Sequence, residues 1–395
     1  MSKIREEALS LQDEIVRWRR KFHQIPELGL KTFTTGGAIA AILKGFGIER
    51  VEPCLDGAGV IAVIEGSLPG KCLGIRADCD GLPVKEETGL AFASGNDCMH
   101  ACGHDAHVAI GLGAAKILQN HRESLRGSVK LLFQPGEETG EGARAMIAAG
   151  VLENPHVDGM IALHVGTAGD PSAHSGQLCY HPDAASFCST AFQIDIQGKG
   201  GHAALPHECV DPLLTACYLV TQLQSVLSRE TAPWDSVVLG IQQIESGTRH
   251  NIIPESASMK GSLRTVRNEL SEHYEHRIEE ISRLTGDAMR CRTDYHRLGK
   301  VAGCTNAPEM TESLLKAAGA ILDPEDIVQS KRVPSGGEDF GFFAEQVPSV
   351  YFFLSTALEE GNNYPHHHPR FDIDESVLWR GSAVFAEFAL CWQEQ

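Results

Sequence analysis

Three short apolar segments of this chain are each followed by residues whose side chains can bind a metal ion or transfer a proton. Residues 72–77 lead to Asp78, residues 127–134 lead to Glu137 and Glu138, and residues 159–163 lead to His164. The second segment is apolar apart from Ser128, Lys130 and Gln134, which is typical of a buried parallel strand. In an open α/β sheet, ligands bind in the loops beyond the carboxyl ends of the strands. The pattern therefore predicts an α/β sheet with a functional site at one edge.

A dense group of possible metal ligands lies between the first two of these segments. Residues 95–107 contain Cys98, His100, Cys102, His104 and His107, and a helical pattern of small residues begins at 108. Thiolate and imidazole are typical zinc ligands, and Cys102 and His104 can point into one cavity from a loop that enters a helix. Any one of these side chains could instead be buried with a hydrogen-bond partner. Five of them together favour a metal site.

The possible ligands are too numerous for one ion. Those at the predicted strand ends and in the histidine loop at residues 364–369 are Cys102, His104, Glu138, His164 and one of His366, His367 and His368. A single zinc takes about four ligands, so five with one shared predict two ions ~3.5–4 Å apart. A thiolate sulfur can bridge two ions, which makes Cys102 the expected shared ligand.

The neighbouring carboxylates Glu137 and Glu138 are predicted to have different roles. Adjacent side chains leave the backbone in different directions, so one can bind metal while the other takes a proton from water and returns it to the leaving group. The alternative is a solvated helix start, where acidic residues are favoured by the helix dipole. The apolar strand directly before the pair favours the catalytic interpretation.

Length and charge restrict the class of protein. The 395 residues exceed what one core usually holds, so two domains are expected. A net charge of -18 argues against a nucleic acid or an anionic membrane as partner, although local arginines can still bind a small anion. We find neither a secretory signal nor an apolar stretch of ~20 residues. Twelve scattered cysteines predict reduced thiols and a cytoplasmic location.

The pattern of the chain changes after Pro182, which predicts one domain inserted into another. Residues 187–196 alternate as in a half-buried strand, and the order that follows is βαββαβ, with a last helix at 269–284 and a last strand at 288–295. This order is typical of a ferredoxin-like unit. We expect a catalytic α/β domain at 1–183 and 299–395, and an inserted α+β lid at 184–298.

Several long motifs resemble those of the dinuclear-metal amidohydrolases, which include aminoacylases, hippurate hydrolases and plant auxin-conjugate hydrolases. The matching motifs are RRKFHQIPELG, IRADCDGLPV, MHACGHDAH, LLFQPGEETGEGA, ALHV, GKGGHAALP, RHNIIPESA, GSLRT, SGGEDF and HHHPRFDIDE. The resemblance is to the branch with a cysteine in the metal site. It implies a zinc-peptidase-like α/β/α catalytic domain, a lid that also forms a homodimer, and two divalent metal ions per subunit. Manganese or zinc is expected, with cobalt or nickel as alternatives.

The resemblance also assigns roles to residues of the metal site. The implied ligands are Cys102, His104, Glu138, His164 and His367, and Glu137 is the implied base. His367 is chosen because the last histidine of the family lies two residues before a proline, here Pro369. Other members bridge the metals with aspartate and have histidine where Arg76 stands. Asp78 keeps the aspartate of that motif and is expected to support a ligand.

On the lid, the resemblance assigns three further residues. His202, in Gly198-Lys-Gly-Gly-His202, is implied to reach the site of the partner subunit and stabilise an oxyanion. Asn251 and Arg264 are implied to bind substrate, and a guanidinium suits a bidentate contact with an α-carboxylate. Without the family, His202 would be interpreted as a surface histidine and Arg264 as part of an exposed ion pair.

These observations favour hydrolysis of a small N-acyl amino acid to a carboxylic acid and an amino acid. A dipeptidase or aminopeptidase on the same scaffold would need an acidic residue near the metals to receive a free ammonium, and the sequence identifies none. A metal-storage or redox-sensing thiol protein is a third interpretation. It gives no role to a base beside a ligand glutamate, and the chain has no C-x-x-C pair.

Overall fold

The structure, a computed structural model, describes residues 2–358 and 363–392. The chain divides into two compact units. The first unit comprises Met1–Ala185, Cys304–Pro334 and Glu338–Gln395, and the second comprises Ser186–Gly303 with Ser335–Gly337. None of the helices among the described residues has both the length and the apolar character needed to cross a membrane.

Both units contain strands and helices. The strands in chain order are β1 Arg50–Cys54, β2 Gly59–Glu65, β3 Leu68–Asp78, β4 Arg126–Gln134, β5 Gly159–Gly166, β6 Leu178–Tyr180, β7 Cys188–Gln197, β8 Gly201–His202, β9 Val237–Ser246, β10 Ile252–Ile253, β11 Ser256–Thr265, β12 Arg292–Val301, β13 Ile327–Gln329 and β14 Ser349–Ser355. The α-helices are α1 Lys3–Ser10, α2 Gln12–His23, α3 Phe33–Gly45, α4 His104–Asn120, α5 Gly142–Ala148, α6 Pro212–Ser225, α7 Asn268–Met289, α8 Pro308–Ile321, α9 Gly341–Ala344 and α10 Leu378–Trp392.

A mixed sheet of eight strands forms the centre of the first unit, in the order β1-β2-β4-β3-β5-β14-β6-β13. Strands β4, β3, β5 and β14 are parallel to their neighbours in this series, so their carboxyl ends meet at one edge. Asp78 ends β3, Glu137 and Glu138 follow β4, and His164 lies near the end of β5. The predicted α/β class and the predicted convergence of the three strand ends are confirmed.

Helix α4 crosses the core and carries His104 at its first position. Almost all of its residues are buried, which fits an apolar and small-residue sequence with no solvated face. A Cβ added to Gly113 would lie 2.3 Å from the Ser382 hydroxyl oxygen, so glycine allows α4 and α10 to approach closely. The small residues after the ligand cluster therefore serve helix packing.

The second unit is an antiparallel sheet of four strands in the order β12-β7-β11-β9. Numbered within the unit, this is the ferredoxin-like order 4-1-3-2, and α6 and α7 supply the helices of the predicted βαββαβ series. Apolar residues of the sheet such as Ile194 and Met259 form one core with Leu219 and Ile278 of the helices. Asp211 caps α6 by accepting hydrogen bonds from two successive backbone amides.

The end of the inserted unit differs from the prediction. The last strand was expected at 288–295 and the unit at 184–298, but α7 continues to Met289 and β12 extends to Val301. The unit consequently runs from Ser186 to Gly303. Gly286 lies inside α7, where an added Cβ would be 2.8 Å from Thr293. That glycine therefore marks a close approach of helix and strand.

Candidate metal centre

The structure brings the five expected ligands together at the carboxyl edge of the first unit's sheet. Ligand atoms of Cys102, His104 and His164 lie within 4.8 Å of one another, and so do those of Cys102, Glu138 and His367. Cys102 is therefore common to the two groups, which is the arrangement that a ligand shared by two ions requires.

His104 and Glu138 each have one atom that could bind a metal ion and that has no hydrogen-bond partner. The His104 Nδ1–H donates to the carbonyl oxygen of Asp80 at 2.9 Å, which leaves Nε2 with a free lone pair. This Nε2 lies 3.9 Å from Glu138 Oε1. Both atoms are buried and unpaired, and buried polar atoms without partners are rare unless something binds them. The residues present therefore fit a bound metal ion.

His164 and Cys102 complete this side of the site. The His164 Nδ1–H donates to the Val165 carbonyl at 2.6 Å, so that Nε2 faces the sulfur of Cys102 at 3.4 Å. Burial raises the pKa of the Cys102 thiol well above its usual value. A cation is needed to keep such a buried sulfur as a thiolate. The soft thiolate, the imidazoles and the carboxylate form a donor set suited to zinc-like ions.

The three consecutive histidines have different surroundings. His366 is half-buried and donates from Nε2 to the Val165 carbonyl at 3.1 Å, while His368 accepts the Arg370 backbone N–H at Nδ1 and stacks on Tyr364. His367 Nε2 lies 3.4 Å from Glu138 Oε1. His367 also has a φ of +68°, an unfavourable conformation for a residue with a side chain. The loop thus turns His367 alone of the three toward Glu138.

The remaining residues of the 95–107 cluster are placed differently. Both ring nitrogens of His107 are used, because Nε2 accepts the Val165 backbone N–H at 2.9 Å and Nδ1–H donates to Asp78. His107 has no lone pair left for a metal, although it lies beside His104. His100 is buried with both nitrogens unpaired, and Cys98 is half-buried outside the ligand groups among the described residues.

Arg76 occupies the position at which other members were expected to have histidine. Its fully buried guanidinium donates to Asp78, to Glu338 Oε1 and Asp339 Oδ1 at 2.9 Å each, and to Gln134. Burial alone would lower the pKa of Arg76, but the three carboxylates raise it well above its usual value. Arg76 is thus a permanent cation that joins the motif of β3 to the glycine turn at 335–339.

Glu137 and Glu138 differ in electrostatic environment. Burial and the nearby carboxylates of Glu338 and Asp339 raise the pKa of Glu137 well above its usual value. Burial acts in the same direction on Glu138, but the imidazole of His367, whose Nε2 lies 3.4 Å from Oε1, lowers its pKa below the usual value. Glu137 Oε2 lies 4.0 Å from His104 Nε2, so its carboxylate faces the same space as the ligand atoms. The neighbouring carboxylates therefore differ in proton affinity.

Comparisons with known proteins agree with this geometry. The model of peptidase family M20/M25/M40 matches residues 74–390. Thermostable carboxypeptidase 1 of Saccharolobus solfataricus is 35% identical, with 99% of this chain and 98% of that protein aligned. The N-acetyl-L-cysteine deacetylase of Bacillus subtilis is 35% identical over 96% of this chain and 88% of that protein.

The chain belongs to peptidase family M20/M25/M40.

A solved M20 structure supports the same assignment. A dinuclear metal-binding peptidase of the M20 family from Bacillus subtilis superposes with a TM-score of 0.84 and 29% identity, covering 98% of this chain and 99% of that one. The resemblance seen in the sequence motifs is confirmed, as is the combination of a catalytic and a lid unit. Because its two groups of possible ligands have Cys102 in common, this M20 chain is expected to bind two metal ions.

The three other predicted residues of this M20 chain lie in the second unit. His202, in β8, pairs with Ile252 of β10, and the Asn251 carbonyl accepts the Ala203 N–H at 3.2 Å, so His202 and Asn251 are neighbours on one ribbon. His202 Nδ1 accepts the Ala204 N–H at 3.0 Å, which leaves Nε2–H as an exposed donor. Arg264, in β11, donates to the Ser335 carbonyl at 2.7 Å.

Sequence reasoning missed three acidic residues around the site. Glu338 and Asp339 bind Arg76, and Asp80 accepts the backbone N–H groups of Glu137 and Glu138. The alternation of an extended chain places Asp80 on the same side as Asp78 and was available from the sequence. The Arg76 contacts to 338 and 339 join distant segments and have no local pattern.

Proposed function

We propose that this chain is a metal-dependent hydrolase of N-acyl amino acids that releases a carboxylic acid and a free amino acid. The proposal depends on the pair Glu137 and Glu138. The Glu138 carboxylate lies beside the unpaired Nε2 of His104, and the Glu137 carboxylate, whose pKa is raised, faces the same space. A storage or sensing site has no use for a second carboxylate of this kind. Similarity to a deacetylase of N-acetyl-L-cysteine supports the substrate class.

We assign Cys102, His104, Glu138, His164 and His367 as the ligands of two divalent ions, with manganese or zinc favoured and cobalt or nickel as alternatives. Bound there, the ions supply a Lewis acid for the amide carbonyl and lower the pKa of a water molecule. The hydrogen bonds from His104 and His164 to backbone carbonyls fix each imidazole with its proton on Nδ1, so that Nε2 would be available to bind an ion.

The residues of the chain then divide the chemistry. Glu137 takes a proton from the attacking water and gives it to the leaving nitrogen. Burial and the nearby carboxylates raise its pKa, so it binds a proton more tightly than an exposed glutamate. His202 donates its Nε2–H to the oxyanion in the site of a partner subunit, so the active form is a homodimer. Arg264 binds the α-carboxylate of the substrate and Asn251 contributes a polar contact beside His202.

A carboxypeptidase activity is the second candidate, because a relative at 35% identity is a thermostable carboxypeptidase. A peptide and an N-acyl amino acid share an amide whose nitrogen belongs to an amino acid with a free carboxylate. Arg264 would bind both in the same way. The acyl side of the amide distinguishes them, since a dipeptide brings a free ammonium to the metal site.

The substrate class is tested by hydrolysis of N-acetyl, N-benzoyl and N-indoleacetyl amino acids, with dipeptides and N-blocked dipeptides alongside. Manganese or zinc is added to protein freed of metal by chelation. We expect N-acyl amino acids to be cleaved, dipeptides to be poor substrates, and chelation to abolish the activity. A protein that binds two ions but cleaves none of these compounds would contradict the proposal.

The roles of the two glutamates are tested by matched substitutions. Glu137→Gln should keep the metal content and lower kcat by several orders of magnitude, because only the base is lost. Glu138→Gln should lose metal, because an amide is a poorer ligand than a carboxylate. Metal analysis and steady-state kinetics measure both. If both variants kept metal and most of their activity, the two roles would be wrong.

His368→Ala is the matched control for His367→Ala. Only His367 approaches Glu138, while His368 holds the backbone of Arg370 and stacks on Tyr364. We expect the His367 variant to bind fewer ions per chain and the His368 variant to bind as many as wild type. If instead the His368 variant lost ions and the His367 variant kept them, His368 would be the ligand and the assignment of His367 would be wrong.

We also propose a cytoplasmic location. No disulfide joins the twelve cysteines, all of which lie in the described part of the chain, and eleven of them are buried or half-buried. Free thiols in this number are typical of proteins kept in a reducing compartment.

A further inference from the structure

Asp80 is a buried acidic residue close to the ligands, and its part in the site is not explained by metal binding. Its side chain is about 1% exposed. It lies two residues beyond the end of β3, and the backbone on both sides of it is held. The Cys79 N–H donates to the Gln134 carbonyl at 2.8 Å and the Gly81 N–H donates to the Glu27 carbonyl at 2.7 Å. The position of Asp80 is therefore rigid.

The carboxylate of Asp80 binds the two glutamates through their backbone. Oδ1 accepts the Glu137 N–H at 3.0 Å and Oδ2 accepts the Glu138 N–H at 3.3 Å. The carbonyl of Asp80 also accepts the His104 Nδ1–H at 2.9 Å, and Oδ1 lies 3.5 Å from that nitrogen. One residue thus contacts three residues of the site, using both of its side-chain oxygens for the glutamate turn.

The glutamate turn needs such support because its own backbone bonds lie elsewhere. Gly136 has a φ of +74°, and the turn closes through the Gly140 N–H to the Glu137 carbonyl at 2.8 Å. These bonds leave the N–H groups of Glu137 and Glu138 to Asp80. Fixing the directions of two successive N–H groups also fixes the directions in which the two side chains leave the backbone. The different orientations of the two carboxylates follow from that constraint.

We propose that Asp80 is a positioning residue, whose two-oxygen contact with successive amides sets Glu137 toward the water and Glu138 toward the metal. The inference rests on the proposed function for the role of Glu137, but its effect on metal binding is independent of any substrate. Asp80 touches neither metal nor substrate in this assignment. Its removal should therefore alter metal affinity and kcat more than KM.

The test is Asp80→Asn in the full-length protein. The asparagine amide has one oxygen, so it can accept only one of the two N–H groups and turns an NH₂ toward the other. We expect zinc affinity, measured by calorimetric titration of the metal-free protein, to fall about 10–100-fold for at least one ion. With N-acyl amino acids kcat should fall by a similar factor while KM stays within about twofold, because misplacing the base affects the transition state alone.

The matched control is Asp158→Asn. Asp158 Oδ2 also accepts a backbone N–H, that of Cys72 at 2.8 Å. Cys72 lies six residues before Asp78 in β3, about 20 Å away at the rise of a strand. We expect zinc affinity, kcat and KM of this variant to equal those of wild type. Equal losses in both variants would mean that any Asp→Asn exchange at a buried backbone contact damages the protein, and would overturn the positioning role.

Wild-type zinc affinity and kcat in Asp80→Asn would also overturn the inference. Weakened zinc binding in a protein that cleaves no N-acyl amino acid at all would uphold it while refuting the proposed function. If Asp80→Asn does not fold, amide hydrogen exchange of the wild-type protein tests whether Asp80 binds the two glutamate amides. We expect the Glu137 and Glu138 amides to be protected in the metal-free protein, and rapid exchange of both would exclude the contact.

Discussion

Arg76 offers the sharpest quantitative test of the electrostatics around the site. Its guanidinium is about 1% exposed and is the cation shared by Asp78, Glu338 and Asp339. Replacing it by methionine keeps most of the apolar volume and removes the charge and the five N–H donors. Three buried carboxylates then remain without this partner. The substitution therefore removes the positive charge that compensates the three carboxylates, with little loss of packing.

The size of the effect follows from these contacts. Removing one partner of a buried ion pair costs about 3–5 kcal/mol, and leaving the Gln134 oxygen without its donor adds about 1–3 kcal/mol. A loss of about 5 kcal/mol is a large part of the ~5–15 kcal/mol that stabilises a domain. With a urea m-value of about 3 kcal/mol/M, the unfolding midpoint should fall by about 1.7 M.

The loss should also depend on pH in a defined direction. Burial raises the pKa of Asp339 to about 7, although Arg76 acts to lower it. When folding raises the pKa of a carboxyl group, the group contributes its full stabilisation of the folded protein below its unfolded pKa of about 3.9. This contribution is lost as the pH rises toward and through the folded pKa. Without Arg76 the folded pKa rises further. The variant then continues to lose stability above pH 7, by about 1.4 kcal/mol between pH 7 and pH 8.

Urea unfolding of wild type and Arg76→Met at pH 6 and pH 8 measures both effects. The control is Arg50→Met, whose guanidinium is 35% exposed and pairs with Glu52. That substitution should cost about 1 kcal/mol or less, with little change between the two pH values. If Arg76→Met were no more destabilising at pH 8 than at pH 6, the buried carboxylates would not depend on Arg76 for compensation.

The remaining predictions concern the metal ligands and the lid. Cys102 should resist alkylation while metal is bound and react after chelation, whereas labelling of Cys98 should depend much less on metal, and mass spectrometry of the labelled peptides measures both. His202→Ala should lower kcat by about 10²–10³-fold with its metal content intact. If His202 acts across a dimer, an equal mixture of the His202→Ala and Glu137→Gln variants under conditions of subunit exchange should regain about a quarter of wild-type activity. No recovery despite proven exchange would exclude the shared site.

Much of the fold followed from local patterns. The apolar segments before Asp78, Glu137 and His164 predicted strands whose carboxyl ends meet, and the alternation after Pro182 predicted the βαββαβ unit. Both depend on periodicity, which short windows of sequence contain. At the end of the inserted unit, the last helix and the last strand were both predicted to end too early, at 284 and 295, whereas α7 ends at Met289 and β12 at Val301. Within α7, Gly286 allows a close approach to Thr293, a role that depends on tertiary packing.

The site was predictable in composition and less so in detail. Residues 95–107 offered several histidines and cysteines, and no local pattern separates His104 from His107. The difference is made by the Val165 N–H, which occupies His107 Nε2 from another strand. Likewise the choice among three consecutive histidines rests on the backbone conformation of His367, which isolated residues do not reveal. Hydrogen bonds between distant segments decide which ring nitrogen remains free.

The charges around Glu137 link these observations to the chemistry. Glu338 and Asp339 raise the pKa of Glu137, and Arg76 binds both of them. A general base is most useful when its pKa lies near the working pH, so it must bind a proton more tightly than an exposed glutamate and still release it. Bound cations would lower the pKa of Glu137, while the carboxylates behind it oppose that change. Arg76 limits that opposition, because it cancels part of their charge. The arginine at this position therefore bears on the proton affinity of the base without contacting it.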